Sequence, residues 1–264
     1  MTRPDWAPQE IDINVPSAAR MYDYYLGGAH NFAADRELAE QALRAMPDGR
    51  FLARTNRAFL RRAVRFLARA GIRQFLDIGS GIPTAGNVHE VAKQVTPDAR
   101  VAYVDIDPVA VSHAQALLAA DPRTGALRGD LRRPDRILAD PALGAIVDLD
   151  QPVAVLLLAV CHFVPDSDDP AGIIAQLRAA LAPGSHLVIS HGTDEGRSTE
   201  ELEQVYRNTV TPLAMRGRAE VERLFAGFEL VEPGVVWAAR WHPEEDLDGP
   251  AERSGSYVGV ARKA

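Results

Sequence analysis

Apolar and polar positions alternate along this chain in two regimes that change near Gly71. Before it the period is helical. A lead-in over residues 1–16 carries Pro4, Pro8 and Pro16, and a helix is predicted from Ser17, its N-cap, breaking at Gly27-Gly28. A second helix is predicted over Ala33–Ala45 and a third over Phe51–Ala70, closed by Gly71. After Gly71, short runs rich in Val, Ile and Leu alternate with helical stretches. The strand-like runs are Gln74–Ile78, Ala99–Asp105, Leu127–Gly129, Val153–Val160 and His186–Ser190. The helical stretches are Asn87–Val95, Pro108–Ala120, Arg133–Asp140 and Pro170–Leu181. Strands without in/out alternation have both faces covered, and repeated strand–helix units imply a parallel sheet with right-handed crossovers. A helix at Arg218–Phe225 and strands at Phe228–Val231, Val235–Arg240 and Ser256–Ala261 read as a terminal hairpin added to that sheet.

Along the third helix and just past it, Arg50, Arg54, Arg57, Arg61, Arg62, Arg65, Arg69 and Arg73 recur opposite an apolar stripe of Phe59, Ala63, Phe66, Leu67 and Ala70. A solvated face explains such a stripe better than an anion site does.

Composition narrows the function classes. The 264 residues and 47% hydrophobic content suit one α/β domain with a sizeable core. With 29 basic and 36 acidic residues the net charge is −7, so nucleic acid is a poor default partner. Cys161 is the sole cysteine, which removes any internal disulfide and fits a reducing compartment. The first nine residues lack an apolar core, and the run Val153–Phe163 is too short to span a bilayer. A cytoplasmic protein without membrane partners is expected.

The strongest chemical signal is Phe75-Leu76-Asp77-Ile78-Gly79-Ser80-Gly81 at a strand end. Glycines there let the backbone turn sharply against a ligand. Three further signals lie on the same sheet edge: Asp105 at the end of the second strand, able to accept both hydroxyls of a ribose; Gly129-Asp130-Leu131 at the end of the third; and Ala159-Val160-Cys161-His162 leaving the fourth. A nicotinamide dehydrogenase fits poorly. Position 84 is Thr where its third glycine would stand, and Asp77 would crowd a pyrophosphate but could hold an ammonium group. The fourth strand also lacks the Asn/Asp-Pro-Pro-aromatic exit of enzymes that methylate exocyclic amines of DNA bases.

The set Asp77-x-Gly79-x-Gly81, Asp105, Asp130 and His162-Phe-Val-Pro-Asp166 resembles class I S-adenosylmethionine-dependent methyltransferases over residues 74–191. The opening Ala19-Arg-Met-Tyr22-Asp23-Tyr24-Tyr25-Leu-Gly27-Gly28-Ala-His30-Asn31-Phe-Ala-Ala-Asp35 is similar to an actinobacterial S-adenosyl methyltransferase family formerly called a domain of unknown function. So are Asp77–Thr84, Asn87–Glu90 and Tyr103–Pro108. The resemblance implies a Rossmann-like α/β fold: a mostly parallel seven-stranded sheet, an antiparallel C-terminal hairpin and an N-terminal helical cap. It divides the single domain 1–264 into a cap (1–70), a cofactor-binding core (71–191) and a lid segment with the terminal strands (192–264). It implies S-adenosylmethionine as cofactor, with Asp77, Gly79, Ser80 and Gly81 about its methionine part, Asp105 at the ribose, Ile106, Asp130 and Leu131 at the adenine, and Ala159 among the other cofactor-binding residues.

The remaining assignments are expectations. Tyr22 and Tyr25 share a helix face and suit a cationic sulfonium or simple packing, whereas Tyr24 points elsewhere. His162 is a general-base candidate, a positioning residue or a turn histidine; His30 and His191 are weaker candidates and His113 a surface residue. Asp166, Asp168 and Asp169 suggest a metal less than a helix cap before Pro170, and Cys161 reads as a small apolar strand residue. The acceptor is expected to be a small molecule methylated on O, N or C. The alternative is a cofactor-binding sensor without transfer activity. Oligomeric state is not encoded in any pattern found.

Overall fold

The computed structural model describes residues 7–8, 11–84, 86–207, 212–244 and 250–264. Half of the lead-in expected over residues 1–16, Pro4 included, therefore lies outside the described residues. Three helices come first: α1 (Ala18–Tyr25), α2 (Ala33–Ala45) and α3 (Gly49–Arg69). Then follow β1 (Gln74–Ile78), α4 (Val88–Val95), β2 (Arg100–Asp105), α5 (Pro108–Leu118), β3 (Thr124–Arg128), α6 (Pro134–Leu138), α7 (Pro141–Gly144), β4 (Ala154–Leu158), α8 (Pro170–Ala180) and β5 (His186–Gly192). The chain closes with α9 (Glu200–Tyr206), α10 (Arg218–Arg223), β6 (Glu229–Leu230), β7 (Val236–Trp237) and β8 (Ser256–Arg262). No helix among the described residues is long and apolar enough to cross a membrane.

The sheet order is β3-β2-β1-β4-β5-β8-β6, and β7 also pairs with β8. The first five strands are parallel; β8 runs antiparallel to β5. β6 pairs with Ala261 and Arg262 at one end of β8, and β7 with Tyr257 and Val258 at the other. They are two pieces of one edge strand broken at Val231–Val235, so the expected hairpin is present with its first strand interrupted. The eight strand-like runs of the sequence all have counterparts here, one more than the seven strands the resemblance implies. The second piece is shorter than expected because Ala238–Arg240 coils into a 3₁₀ turn. There the carbonyls of Ala238 and Trp241 accept hydrogen bonds from buried Arg62 at 2.7 and 2.8 Å.

Alternate residues of each strand feed two cores. Leu76, Ile78, Val155, Leu157, Leu187 and Ile189 pack beneath α6, α8 and α10. Phe75, Val101, Leu156, Leu158 and Val188 pack against α3, α4 and α5. Asp77 alternates with Leu76 and Ile78, so it shares the face of Phe75 and looks toward α3. A third apolar cluster joins α1, α2 and α9 through Met21, Leu38, Ala42, Leu202 and Tyr206. A covering role for the N-terminal helices and the Gly192–Met215 segment was expected, but the helix α9 within it was not, because it has an acidic first turn and buries only Leu202 and Tyr206.

Local capping is mixed. Asp169 caps α8 by accepting from Gly172 N–H, as expected of the acid before Pro170. Ser17 holds the N-cap position of α1 but makes no side-chain cap; its own N–H donates to Asp35 at 2.9 Å. Cys161 is buried in a 3₁₀ turn rather than in a strand.

Candidate functional site

The carboxyl ends of β1, β2, β3 and β4 open into a cavity of about 670 Å³, within the roughly 300–1,000 Å³ typical of small-molecule sites. Its floor is the turn after β1. Gly79 and Ser80 donate their N–H groups to Val104 O at 2.8 and 3.1 Å, folding the turn onto β2. Gly79 sits at φ +74°, and a Cβ there would lie 2.4 Å from Val160 Cγ2, so only glycine fits. A Cβ on Gly81 would meet nothing within 4 Å and would instead project into the open space that residue borders.

Asp105 accepts the N–H groups of Gly81 (2.7 Å) and Asp107 (2.8 Å) and is buried, which pushes its carboxyl up to about 6 despite those bonds. Asp107 caps α5 through Val109 N–H. Ile106 between them is 44% exposed, an uncovered apolar surface facing the cavity. Asp130 is held in a bidentate pair by Arg132, with bonds of 2.7 to 3.1 Å, which together lower its carboxyl pKa. Leu131 beside it is buried against the lower core.

Asp77 is buried and its pKa is pushed up to about 7, chiefly by burial; nearby Arg57 opposes the shift and Asp105 adds to it. Arg57 reaches over from α3, donating to Gly86 O (3.1 Å) and Asn87 Oδ1 (3.2 Å). Ala159 adopts φ +52°, a left-handed conformation uncommon for a residue with a Cβ. Its N–H donates to Ser190 Oγ at 2.9 Å, Ser190 Oγ donates to Asn56 Oδ1 at 2.6 Å, and Asn56 Nδ2 donates to Tyr22 Oη at 2.9 Å. Tyr22 in turn donates to Ala53 O. Tyr22, Asp77, Gly79, Ser80, Gly81, Asp105, Ile106, Asp130, Leu131, Ala159 and His162 all line this one cavity. Asn56, Arg57 and Ser190 line it too and were not anticipated.

These groups suit a ligand with an amino-acid zwitterion, a sugar diol and an apolar ring. Buried Asp77 with Arg57 offers both charges, Asp105 stands at the end of β2, and Ile106 leaves apolar surface uncovered. The comparisons decide what that ligand is. The S-adenosyl methyltransferase profile matches residues 4–264. The chain belongs to the S-adenosyl methyltransferase family. A candidate methyltransferase from Thermobifida fusca is 42% identical, superposes with a TM-score of 0.93 and is covered over 99% of its length by 98% of this chain. A DUF574 family protein from Streptomyces avermitilis is also 42% identical, with TM-score 0.89, 96% of this chain covering all of it. The fold is shared with more distant enzymes. One is human N-acetylserotonin methyltransferase in complex with S-adenosylmethionine (16% identity, TM-score 0.51, 95% of this chain over 63% of that one). Another is NodS from Bradyrhizobium japonicum with S-adenosylhomocysteine (15%, 0.51, 92% over 98%). No curated protein matches the sequence. The protein is a methyltransferase that uses S-adenosylmethionine.

The methyltransferase's opening motif is an architectural lock. Asp23 accepts from His30 N–H (3.0 Å) and Asn31 Nδ2 (2.8 Å), folding Gly27–Asn31 back onto α1. Arg20, 3% exposed, pairs with Asp35 at 3.0 Å and approaches Asp107 at 3.6 Å, tying cap to core at the cavity rim. A Cβ on Gly28 would fall 1.9 Å from Asp23 Oδ1. Gly28→Ala is therefore expected to cost about 1–3 kcal/mol, the range for overpacking, and to lower the midpoint of a thermal melt by several degrees. Tyr24 points away from the cavity as expected, donating to Glu40, with Arg50 over its ring.

The arginine stripe of α3 is less solvated than expected. Arg62 is buried, Arg57 borders the cavity, Arg50 and Arg65 pair with Glu40 and Glu244, and Gly86 packs against Arg61. His30 and His113 rings lie 3.9 Å apart, outside the cavity lining.

Proposed function

We propose that this enzyme methylates an oxygen, nitrogen or carbon nucleophile on a small molecule bound between Ala159 and the helical cap. The observation that supports this reading is the wall of the cavity opposite the sheet. It is built from Leu43 and Met46 at the end of α2, Leu202 and Tyr206 of α9, and Leu213 and Met215 beyond it, an apolar surface suited to a small ligand.

Bound S-adenosylmethionine supplies a methyl group made electrophilic by the attached sulfonium. The chain's residues then have three tasks. Asp77 and Arg57 hold the amino-acid end, Asp105 the ribose hydroxyls, and Ile106 and Leu131 the adenine faces. Asp130 is engaged by Arg132 through its backbone N–H and two guanidinium nitrogens, three donors on about four acceptor sites, which leaves room for about one more donor such as the adenine amino group. Tyr22, its hydroxyl already engaged, offers aromatic surface near the cation. The cap excludes water and holds the acceptor against the methyl; alignment of that kind lowers the barrier without a covalent enzyme intermediate.

Isothermal calorimetry should show one S-adenosylmethionine per chain, and Asp105→Ala should weaken it at least about tenfold, the loss expected for a hydrogen bond to a charged group. Unchanged affinity in that variant would reject the site as drawn. Incubation with methyl-labelled cofactor and a metabolite extract should label small molecules. Label found only in protein or RNA would reject the acceptor class.

A further inference from the structure

His162 stands on the 3₁₀ turn after β4 and lines the cavity beside Phe163, the rings 4.5 Å apart. Which of its nitrogens carries the proton follows from its contact with Gly192, a residue whose neighbour His191 is itself held by Arg216. This guanidinium is 5% exposed and donates to Cys161 O (3.2 Å), Val164 O (2.9 Å) and Asp166 Oδ1 (2.6 Å). Its Nη1 also lies 2.9 Å from His191 Nε2. A guanidinium can only donate, so His191 Nε2 accepts and the proton of that ring sits on Nδ1. Nδ1 donates to Gly192 O at 2.7 Å. The N–H of the same Gly192 donates to His162 Nδ1 at 3.3 Å. A neutral His162 therefore carries its proton on Nε2. No group among the described residues accepts from that nitrogen, and it is not among the buried unpartnered atoms. Burial, His191 and Arg216 hold the His162 pKa down to about 3, so the ring stays neutral.

An imidazole arranged this way cannot take a proton at the nitrogen it turns to the cavity, and it presents a hydrogen-bond donor there. The opposite wall carries no charged side chain from α2, α9 or residues 213–215 among the described residues. Flat rings border the space: Phe163 and Tyr206 lie 5.9 Å apart at 34°. Building on the small-molecule reading above, we infer that the methyl acceptor is a flat, apolar molecule bearing an oxygen lone pair, carbonyl or phenolate, that accepts a hydrogen bond from His162 Nε2–H. The Gly192 N–H, which can only donate, fixes this tautomer, and Arg216 holds the neighbouring His191 ring in place. A hydroxyl acceptor loses its proton to water on entering, not to His162.

The test uses protein loaded with S-adenosylhomocysteine, with 4-nitrophenol at pH 8 as probe and nitrobenzene as the matched molecule without the oxygen. Nitrogen-15 NMR of histidine-labelled protein should show His162 as the Nε2–H tautomer; a proton on Nδ1 overturns the inference without any variant. The wild type should bind 4-nitrophenol. His162→Gln, which keeps an N–H near the same place but is no base, should bind it within about threefold of wild type. His162→Ala should lose about tenfold or more, the loss of a donor to a charged oxygen, with nitrobenzene affinity unchanged. Equal losses in both variants, or no 4-nitrophenol binding by a wild type that holds S-adenosylhomocysteine, would overturn the acceptor assignment and leave the methyltransferase site standing. Failure to bind S-adenosylhomocysteine itself would strike the proposed site instead.

Discussion

Replacing Asp77 with asparagine is expected to weaken S-adenosylmethionine binding about 100-fold, roughly 3 kcal/mol, the scale for removing one partner of a buried charge pair. It should also abolish a pH dependence that the wild type shows. The sign follows from the carboxyl's environment. Burial raises its pKa to about 7 in the empty site, with Asp105 adding to the effect and Arg57 opposing it. Below that pH Asp77 is a neutral acid, and the ligand's ammonium binds only by expelling its proton. Each pH unit below 7 then costs about 1.4 kcal/mol, or tenfold in affinity. Asp105, raised to about 6, adds a second dependence at lower pH. Above about 8 the ligand's own α-amine starts to lose its charge, so affinity should peak between pH 7 and 8. Calorimetry at pH 6.5 in buffers of different ionisation enthalpy should detect proton release on binding. Wild-type affinity that is flat from pH 5.5 to 7.5 would show that Asp77 does not meet the ammonium.

Much of this arrangement was legible before any coordinates. Asp77, Gly79, Gly81, Asp105 and Asp130 each lie at or just past the carboxyl end of a strand, and a parallel sheet must bring such ends to one edge. The boundaries of α2 and β1 also agree with the apolar pattern, because α2 has a one-sided face and β1 is buried throughout. What stayed hidden depends on contacts between distant segments. Arg57 looked like any other member of a stripe, and only the crossing of α3 over β1 sets it beside Asp77. Asn56 and Ser190 are 134 positions apart, and nothing local to either says they share a proton. Arg216 sits in no motif, yet it fixes His191, the neighbour of the Gly192 whose N–H donates to His162. The acidic opening of α9 concealed Leu202 and Tyr206, whose burial against α2 completes the cap. Helical period reads a broad apolar stripe well and two isolated anchors poorly.

The opening motif illustrates the same limit from the other side, since it was recognisable as a pattern before its physical purpose could be seen. Asp35 is fully buried and accepts from Ser17 N–H (2.9 Å), Phe32 N–H (2.7 Å) and Arg20, whose guanidinium also contacts Val15 O and lies over the Phe32 ring. Burial nonetheless raises the Asp35 pKa, outweighing the bonds and the arginine that favour its charge. Such a pair costs much of what it gains, but breaking it leaves an arginine charge buried without its partner. Asp35→Ala is therefore expected to destabilise the protein by about 3–5 kcal/mol and to lower its melting midpoint by roughly 10 °C, at about 2–4 °C per kcal/mol for a chain of this size. The exposed pair Arg73–Asp98 is the control: Asp98→Ala should cost about 1 kcal/mol at most. Because Arg20 also reaches Asp107, which caps α5 beside Asp105, the Asp35→Ala protein should bind S-adenosylmethionine more weakly than wild type even at temperatures where both are folded. A melting midpoint within two degrees of wild type would show that the lock between cap and core does not depend on this buried pair.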